Sequence, residues 1–166
     1  MERDGDRVRL ITRGYDWTRR YPWIVEAAVR NGVKQFAIDG EAVILGVDGI
    51  SDFNALHSGK QNHEVQLCAF DRLALDGEDQ RKLPLSMRKT NLERLLRGLP
   101  DGIFINPFET GAIGPDLFSA ACRMGLEGLV SKRGDRPYRG GRSKDWIKIK
   151  IRSHPAMMRV AEAHAG

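Results

Sequence analysis

The order of strand-like and helix-like segments constrains this chain more than any other feature of its sequence. Alternating and β-branched residues predict strands over residues 8–12, 36–45, 65–75, 103–108, 126–132 and 146–151. Helical spacing predicts helices that begin at Pro22 and Pro115, and a leucine stripe predicts another over Leu92, Leu95, Leu96 and Leu99. Because strands and helices do not alternate one for one, we predict an α+β fold of antiparallel sheets flanked by helices, not a doubly wound sheet.

Two serines are expected to begin helices. Ser51 precedes a short helix over residues 53–57, and Ser86 precedes the leucine-striped helix. A serine at such a position accepts a hydrogen bond from one of the first backbone amides, which have no partner within the helix. A last helix is predicted over residues 155–164.

Apolar runs and cysteines indicate the compartment. The longest apolar runs are only a few residues, as at 42–45, which is too short for a transmembrane helix. No apolar stretch follows the charged start, so no secretory signal is expected. Cys68 and Cys122 lie far apart in apolar surroundings and are expected to be buried, reduced thiols. We therefore expect a cytoplasmic protein without membrane contact.

Positive charge favours a polyanionic partner. The chain has 27 Lys and Arg against 22 Asp and Glu, a net charge of +5. That balance alone is ordinary, but residues 132–152 are dominated by lysine and arginine and also carry Tyr138 and Trp146. We expect phosphate groups to bind this segment, without base readout.

Two strands of the predicted sheet carry acids where apolar residues are expected. Asp39 and Glu41 flank Gly40 in one strand, and Asp71 follows Phe70 in another. Buried carboxylates need a cation, a metal or hydroxyl donors. A bulge or turn at Gly40 with solvated carboxylates is the alternative. Phe70 suits either a core position or a stacking face for a base.

The last two predicted strands carry lysines. Lys148 and Lys150 lie on one face of a strand, where they repel each other unless water or an anion lies between them; a solvated edge strand is the alternative. Glu127 and Lys132 stand five residues apart, so strict alternation places them on opposite faces. A twist or bulge would be needed for both to reach one site. Trp146 is expected to pack in the core or at a strand edge.

Taken in order, these segments resemble the covalent nucleotidyltransferases, specifically the ATP-dependent DNA ligases. Five segments match family motifs in the expected order: Thr12-Arg13-Gly14, Asp39-Gly40-Glu41, Phe70-Asp71-Arg72-Leu73, Glu127-Gly128-Leu129-Val130-Ser131-Lys132 and Trp146-Ile147-Lys148-Ile149-Lys150. The sequence of residues 49–57 and 136–144 is similar to that of the ligase domain of bacterial non-homologous end-joining ligases. The resemblance covers essentially the whole chain and implies a nucleotidyltransferase (ATP-grasp-like) domain that acts in DNA repair and recombination.

The resemblance also implies roles for single residues. Phe70 would stack on the adenine of ATP, Glu41 would contact the ribose or the metal environment, and Arg13 would bind a phosphate or ribose of the nucleotide or the nick. Glu127 would hold Mg²⁺ (or Mn²⁺), for which a carboxylate is a suitable ligand. The phosphates would be contacted by Lys132, Lys148 and Lys150. The DNA partner would be a nicked or broken duplex.

One departure concerns the nucleophile. The family's first motif is Lys-x-Asp-Gly-x-Arg, whose lysine takes AMP, and this chain contains no Lys-x-Asp-Gly. The segment Glu2-Arg3-Asp4-Gly5-Asp6-Arg7 imitates it with glutamate in place of lysine, but Glu2 lies too close to Arg13 for a strand pair. We predict that Asp4-Gly5-Asp6 is the hairpin turn that follows the first motif. The chain is then expected to begin after that motif and to be inactive alone.

The resulting expectation is a partial adenylation domain over residues 1–152, a tail over 153–166 and no OB-fold domain. Two alternatives are a non-catalytic nucleotide- or DNA-binding remnant, able to work beside another chain that supplies missing elements, and a relative of RNA ligases or capping enzymes. The motifs are shared across the nucleotidyltransferase superfamily, and the sequence of residues 139–144 favours a DNA ligase.

Overall fold

The computed structural model describes residues 1–99, 101–111, 115–123, 126–141 and 143–151. These residues form two compact units. The larger comprises Met1–Pro107 and a short segment, Gly134–Arg139, which we call the strap. The smaller consists of the described parts of Phe108–Arg133 and Gly140–Gly166.

Strands and helices mix in the chain as the sequence predicts. The strands are β1 (Glu2–Asp4), β2 (Arg7–Arg9), β3 (Ile11–Thr12), β4 (Tyr15–Asp16), β5 (Gln35–Val43), β6 (Gln66–Leu75), β7 (Glu78–Asp79), β8 (Ile103–Ile105), β9 (Gly128–Lys132) and β10 (Trp146–Lys150). The helices are α1 (Pro22–Arg30), α2 (Phe53–Ser58), α3 (Leu85–Leu96) and α4 (Pro115–Arg123), with a 3₁₀ turn at Asn62–Glu64. The predicted helix over residues 155–164 lies outside the described residues.

A six-stranded sheet in the order β2-β1-β5-β6-β7 organises the larger unit, with β8 also paired to β6. Every pair is antiparallel except β6 with β8, which is parallel. The α+β expectation of antiparallel sheets with flanking helices is confirmed, with this one exception. The predicted strand over residues 8–12 is divided at Leu10, because β2 joins this sheet while β3 pairs with β4 in a separate hairpin.

One face of the sheet packs on the helices. Phe36 and Ile38 of β5 are buried in the same cluster as Ile24 of α1 and Leu92 of α3. Side chains alternate along a strand, so Asp39 belongs to the opposite, less buried face. Apolar side chains therefore cover one face of β5 and β6, and polar side chains can occupy the other face.

The end of α1 is held by a charged side chain. Arg3 of β1 is buried, and its Nη1 donates to the carbonyls of Ala28 (2.6 Å), Asn31 (2.7 Å) and Val33 (3.0 Å). Carbonyls at a helix C-terminus lack intrahelical partners and favour a cation. Arg3 thus joins the first hairpin to α1.

Both serine caps were wrong, for different reasons. The side chain of Asp52, not Ser51, accepts from the Ala55 amide at 2.9 Å and begins α2. Helix α3 begins at Leu85 without a side-chain cap. Its first amides, of Leu85 and Ser86, donate instead to the carbonyls of Arg136 and Gly134 in the strap. A segment distant in sequence therefore supplies the acceptors that Ser86 was expected to supply.

In the smaller unit, β9 and β10 pair antiparallel, with Trp146 opposite Lys132 and Lys150 opposite Gly128. Cys122 on α4 is exposed, so the expectation that both thiols are buried fails there, whereas Cys68 is partly buried. Among the helices described, none is long and apolar enough to cross a membrane.

Candidate nucleotide-binding site

Asp39, Gly40 and Phe70 meet at an irregularity in the pairing of β5 with β6. Asp39 is opposite Asp71 and Gly40 is opposite Ala69, so β6 carries one extra residue, Phe70, between these two pairs. A bulge of this kind re-aims the extra side chain and is common beside functional sites. A bulge at Gly40 was one of the alternatives for this segment. It is present, with Phe70 as the extra residue.

Glycine is required at position 40 by the closeness of β6. A Cβ on Gly40 would lie 2.8 Å from the Cys68 carbonyl oxygen and 3.1 Å from the Ala69 Cα. Both are backbone atoms, so no side-chain rotation could relieve the contact. The glycine of the Asp-Gly-Glu motif thus allows β5 to approach β6 this closely beside the bulge.

The two carboxylates beside Gly40 have different environments. Asp39 is partly buried, and its Oδ1 accepts from the Gly40 amide at 3.0 Å while its Oδ2 accepts from the Tyr138 hydroxyl at 2.8 Å. Glu41 is exposed and is opposite Cys68 in the register. Burial, and then the charge of Glu41, raise the pKa of the Cys68 thiol to about 11, so this thiol is protonated at neutral pH.

Behind the bulge lies a buried ion pair that the sequence analysis missed. Arg88 of α3 donates from Nε to Asp71 Oδ1 at 2.7 Å and from Nη2 to Oδ2 at 3.0 Å. The two side chains are 1% and 0% exposed, respectively. Arg88 Nη1 also donates to the carbonyls of Leu83 and Arg136. A signal existed in the sequence: Arg88 stands four residues before Leu92, on the same face as the leucine stripe.

Tyr138 brings the strap to this network. Its ring centroid lies 5.9 Å from the Arg88 Cζ, and its amide donates to the Arg81 carbonyl at 2.7 Å. Burial raises the pKa of the Tyr138 phenol, and the hydrogen bond to Asp39 raises it further. The phenol therefore stays protonated and able to donate.

Arg13 lies outside the six-stranded sheet, at the two-residue turn between β3 and β4. It is exposed and has φ of 46°, and Gly14 follows with φ of 85°. Two successive positive φ angles define the turn type that favours Asn-Gly in hairpins. Arginine is unfavourable in this conformation, so local backbone preference does not explain its presence here.

The remaining predicted residues belong to the smaller unit. By the register, Lys132, Lys148 and Lys150 share one face of the β9–β10 pair. Glu127 lies at a bend just before β9, and its Oε1 is 3.6 Å from Lys148 Nζ. The bend supplies the irregularity that strict alternation required, because the carboxylate reaches a lysine on the face of Lys132.

Gly128 and Trp146 complete the arrangement of this face. A Cβ on Gly128 would lie 2.3 Å from the Ile149 carbonyl oxygen, so only glycine permits this strand pair. The Nζ of Lys132 lies 4.4 Å from the Trp146 ring centroid. Trp146 is thus more than packing at a strand edge, because its ring holds a lysine ammonium group through a cation–π contact.

No metal centre is assembled by protein side chains within the part of the chain that the structure describes: no three His, Cys, Asp or Glu residues come close enough to hold an ion. Glu41 and Glu127, the predicted metal ligands, lie in the larger and the smaller unit, respectively. Both side chains are exposed.

The antiparallel sheet with flanking helices is the nucleotidyltransferase fold of solved ligase structures, which this chain matches. The structure of mycobacterial DNA ligase D complexed with ATP and MES matches with a TM-score of 0.76 and 30% identity, over 90% of this chain and 49% of that one. The ligase domain from M. tuberculosis LigD matches with the same TM-score and identity, over 50% of its chain.

The chain belongs to the ATP dependent DNA ligase domain family, whose model matches residues 1–150. The multifunctional non-homologous end joining protein LigD of Pseudomonas aeruginosa is 37% identical over 147 residues, which cover 86% of this chain and 18% of that protein. The SPbeta prophage-derived DNA ligase-like protein LigB of Bacillus subtilis is 30% identical, over 87% of this chain and 54% of that protein. The chain thus spans only part of each of these relatives.

Proposed function

We propose that this chain supplies nucleotide-binding residues of a ligase adenylation domain. Such a domain takes AMP from ATP and passes it to the 5′-phosphate of a nicked or broken DNA, which a 3′-hydroxyl then seals. The observation that carries the proposal is the bulge at Phe70, which is the extra residue of β6 between the pairs Asp39–Asp71 and Gly40–Ala69 and therefore lies beside Asp39.

Phe70 is proposed to stack on adenine, because an aromatic ring at a pocket wall is a suitable face for a base. Both oxygens of Asp39 already accept hydrogen bonds, whereas Glu41 is exposed. Glu41 is therefore the better placed of the two to reach the ribose or a metal-bound water. The phosphates are assigned to Lys132, Lys148 and Lys150, whose charges would stabilise a developing negative charge.

Mg²⁺ is proposed to bind with ATP and not before it. Mg²⁺ commonly takes one or two carboxylates and completes its shell with water and substrate phosphates. Glu127 and Glu41 fit this use because each presents an exposed carboxylate. When bound, the ion would neutralise phosphate charge. Glu127 and Lys148 would then give up their ion pair, and each would contact the bound ligand instead.

Calorimetry tests the site directly. The unaltered chain is expected to bind ATP with Mg²⁺ weakly, and Lys148→Ala with Lys150→Ala is expected to abolish the heat. Each lysine supplies a charge-assisted hydrogen bond of about 1.5–3 kcal/mol, so the joint loss exceeds a tenfold change. The matched control is Lys34→Ala with Lys60→Ala, which removes two exposed lysines of the larger unit. Tight binding that survives the first double change would refute the assignment.

Arg13→Asn is expected to separate stability from binding. Asparagine accepts the left-handed conformation at the turn, so the free energy of unfolding should rise by up to about 1 kcal/mol. Loss of the guanidinium should weaken binding of ATP or nicked DNA several-fold, measured by calorimetry and fluorescence anisotropy. Arg9→Asn, at an exposed position of β2, is the control for charge alone. Stabilisation with unchanged affinity for both ligands would remove Arg13 from the site.

A further inference from the structure

The Asp39 carboxylate is held by two groups from different parts of the chain. Its Oδ1 accepts from the next amide, which is local, but its Oδ2 accepts from Tyr138, ninety-nine positions away. The Tyr138 hydroxyl is the side-chain group that orients this second oxygen. Asp39 adjoins the bulge in which Phe70 is the extra residue, so its orientation bears on the geometry of the bulge.

We infer that Tyr138 is a positioning residue of the nucleotide site: its hydroxyl fixes the Asp39 carboxylate beside the Phe70 bulge, and nucleotide affinity depends on that hydrogen bond. The inference rests on the proposed function. It gives the strap a role that its basic character alone did not indicate. The arginines of this segment are candidates for phosphate contact, whereas its tyrosine acts on the protein's own sheet.

The strap is anchored independently of the hydroxyl. Its backbone accepts from Leu85 and Ser86 at the start of α3, and the Tyr138 amide donates to the Arg81 carbonyl. The Tyr138 ring also faces Arg88. Tyr138→Phe keeps all of these contacts and removes a single donor. Of the contacts named here, this change therefore removes only the hydrogen bond to Asp39.

Tyr138→Phe is expected to weaken binding of ATP with Mg²⁺ about tenfold in calorimetry, since a hydrogen bond to a charged acceptor is lost. Its thermal unfolding should stay close to that of the unaltered chain. Tyr15→Phe, which removes a hydroxyl from an exposed strand residue, should bind ATP as the unaltered chain does. In the Asp39→Asn background, Tyr138→Phe should cost much less affinity than it does alone, because the two residues act as a unit.

A spectroscopic measurement tests the contact apart from binding. In NMR spectra of isotope-labelled tyrosine ring carbons, the Tyr138 signal is assigned by its absence in Tyr138→Phe. It should move in Asp39→Asn while the signals of Tyr15 and Tyr21 stay in place, because Tyr138 is the tyrosine that donates to this carboxylate.

The outcomes separate the inference from the proposed function. Equal ATP affinity of the unaltered chain and Tyr138→Phe would overturn the inference alone, as would a Tyr138 signal that ignores Asp39→Asn. Absence of any ATP binding by the unaltered chain would overturn the proposed function, and with it the role of Tyr138 in nucleotide binding. Additive effects of the two changes would show that Tyr138 does not act through Asp39.

Discussion

Replacing Arg88 by methionine is expected to lower the free energy of unfolding by about 3–5 kcal/mol, the cost of leaving one buried partner of an ion pair uncompensated. Asp71 is 0% exposed and would lose both hydrogen bonds from the guanidinium. The carbonyls of Leu83 and Arg136 would lose their donor as well. Urea unfolding followed by circular dichroism measures the change.

An exposed ion pair of similar geometry provides the control. Arg81 donates to both oxygens of Asp79, and these hydrogen bonds lower the pKa of Asp79 to about 2. The two side chains are nevertheless 57% and 51% exposed, so water screens the attraction and Arg81→Met should change stability far less. Equal losses in Arg81→Met and Arg88→Met would mean that burial does not set the value of the Arg88 pair.

The pair variant Asp71→Leu with Arg88→Met separates charge pairing from shape. Removing both charges avoids the uncompensated carboxylate, so the double variant should be more stable than Arg88→Met alone. The bulge lies next to Asp71, and ATP binding by the double variant reports whether the ion pair also holds Phe70. A double variant less stable than Arg88→Met would contradict the electrostatic account.

Local pattern was sufficient for the longer strands and helices of this fold. The leucine stripe of α3 and the alternation of Lys148 with Lys150 depend on neighbours along the chain. Both are found, except that α3 ends at Leu96 and Leu99 follows it. Gly40 and Gly128 were recognised as motif members. The physical reason for glycine at both positions is a backbone atom of the neighbouring strand, which would lie less than 3 Å from a Cβ.

What the sequence could not supply are partners brought together by the chain's path. The start of α3 is satisfied by the strap and not by Ser86, and β8 pairs in parallel because its connection passes through α3. Arg88 is polar in a leucine stripe, and only the position of Asp71 on β6 makes that burial tolerable. Such long-range pairs are invisible to periodicity.

Incubation of the 166-residue chain with ATP and Mg²⁺ is expected to leave its mass unchanged. Self-adenylylation requires an amine at attacking distance from the α-phosphate, which the family resemblance assigns to the lysine of Lys-x-Asp-Gly. The imitating segment is a hairpin: β1 and β2 pair around Gly5, which has φ of 60°. Its Arg3 is buried against the end of α1, so this segment is part of the folded structure of the larger unit.

Glu2→Lys is the decisive variant, because it restores the amine to the imitating segment. Glu2 is exposed, in register with Arg9 and Ala37, and 3.9 Å from the Arg9 guanidinium. We expect intact-mass spectrometry to find no added AMP on Glu2→Lys or on the unaltered chain, with a ligase domain that contains Lys-x-Asp-Gly as the positive control. An adduct on Glu2→Lys would place this hairpin at the first motif. An adduct on the unaltered chain that Lys132→Arg removes would instead make Lys132 the nucleophile, since arginine keeps the charge near the phosphate but cannot attack it.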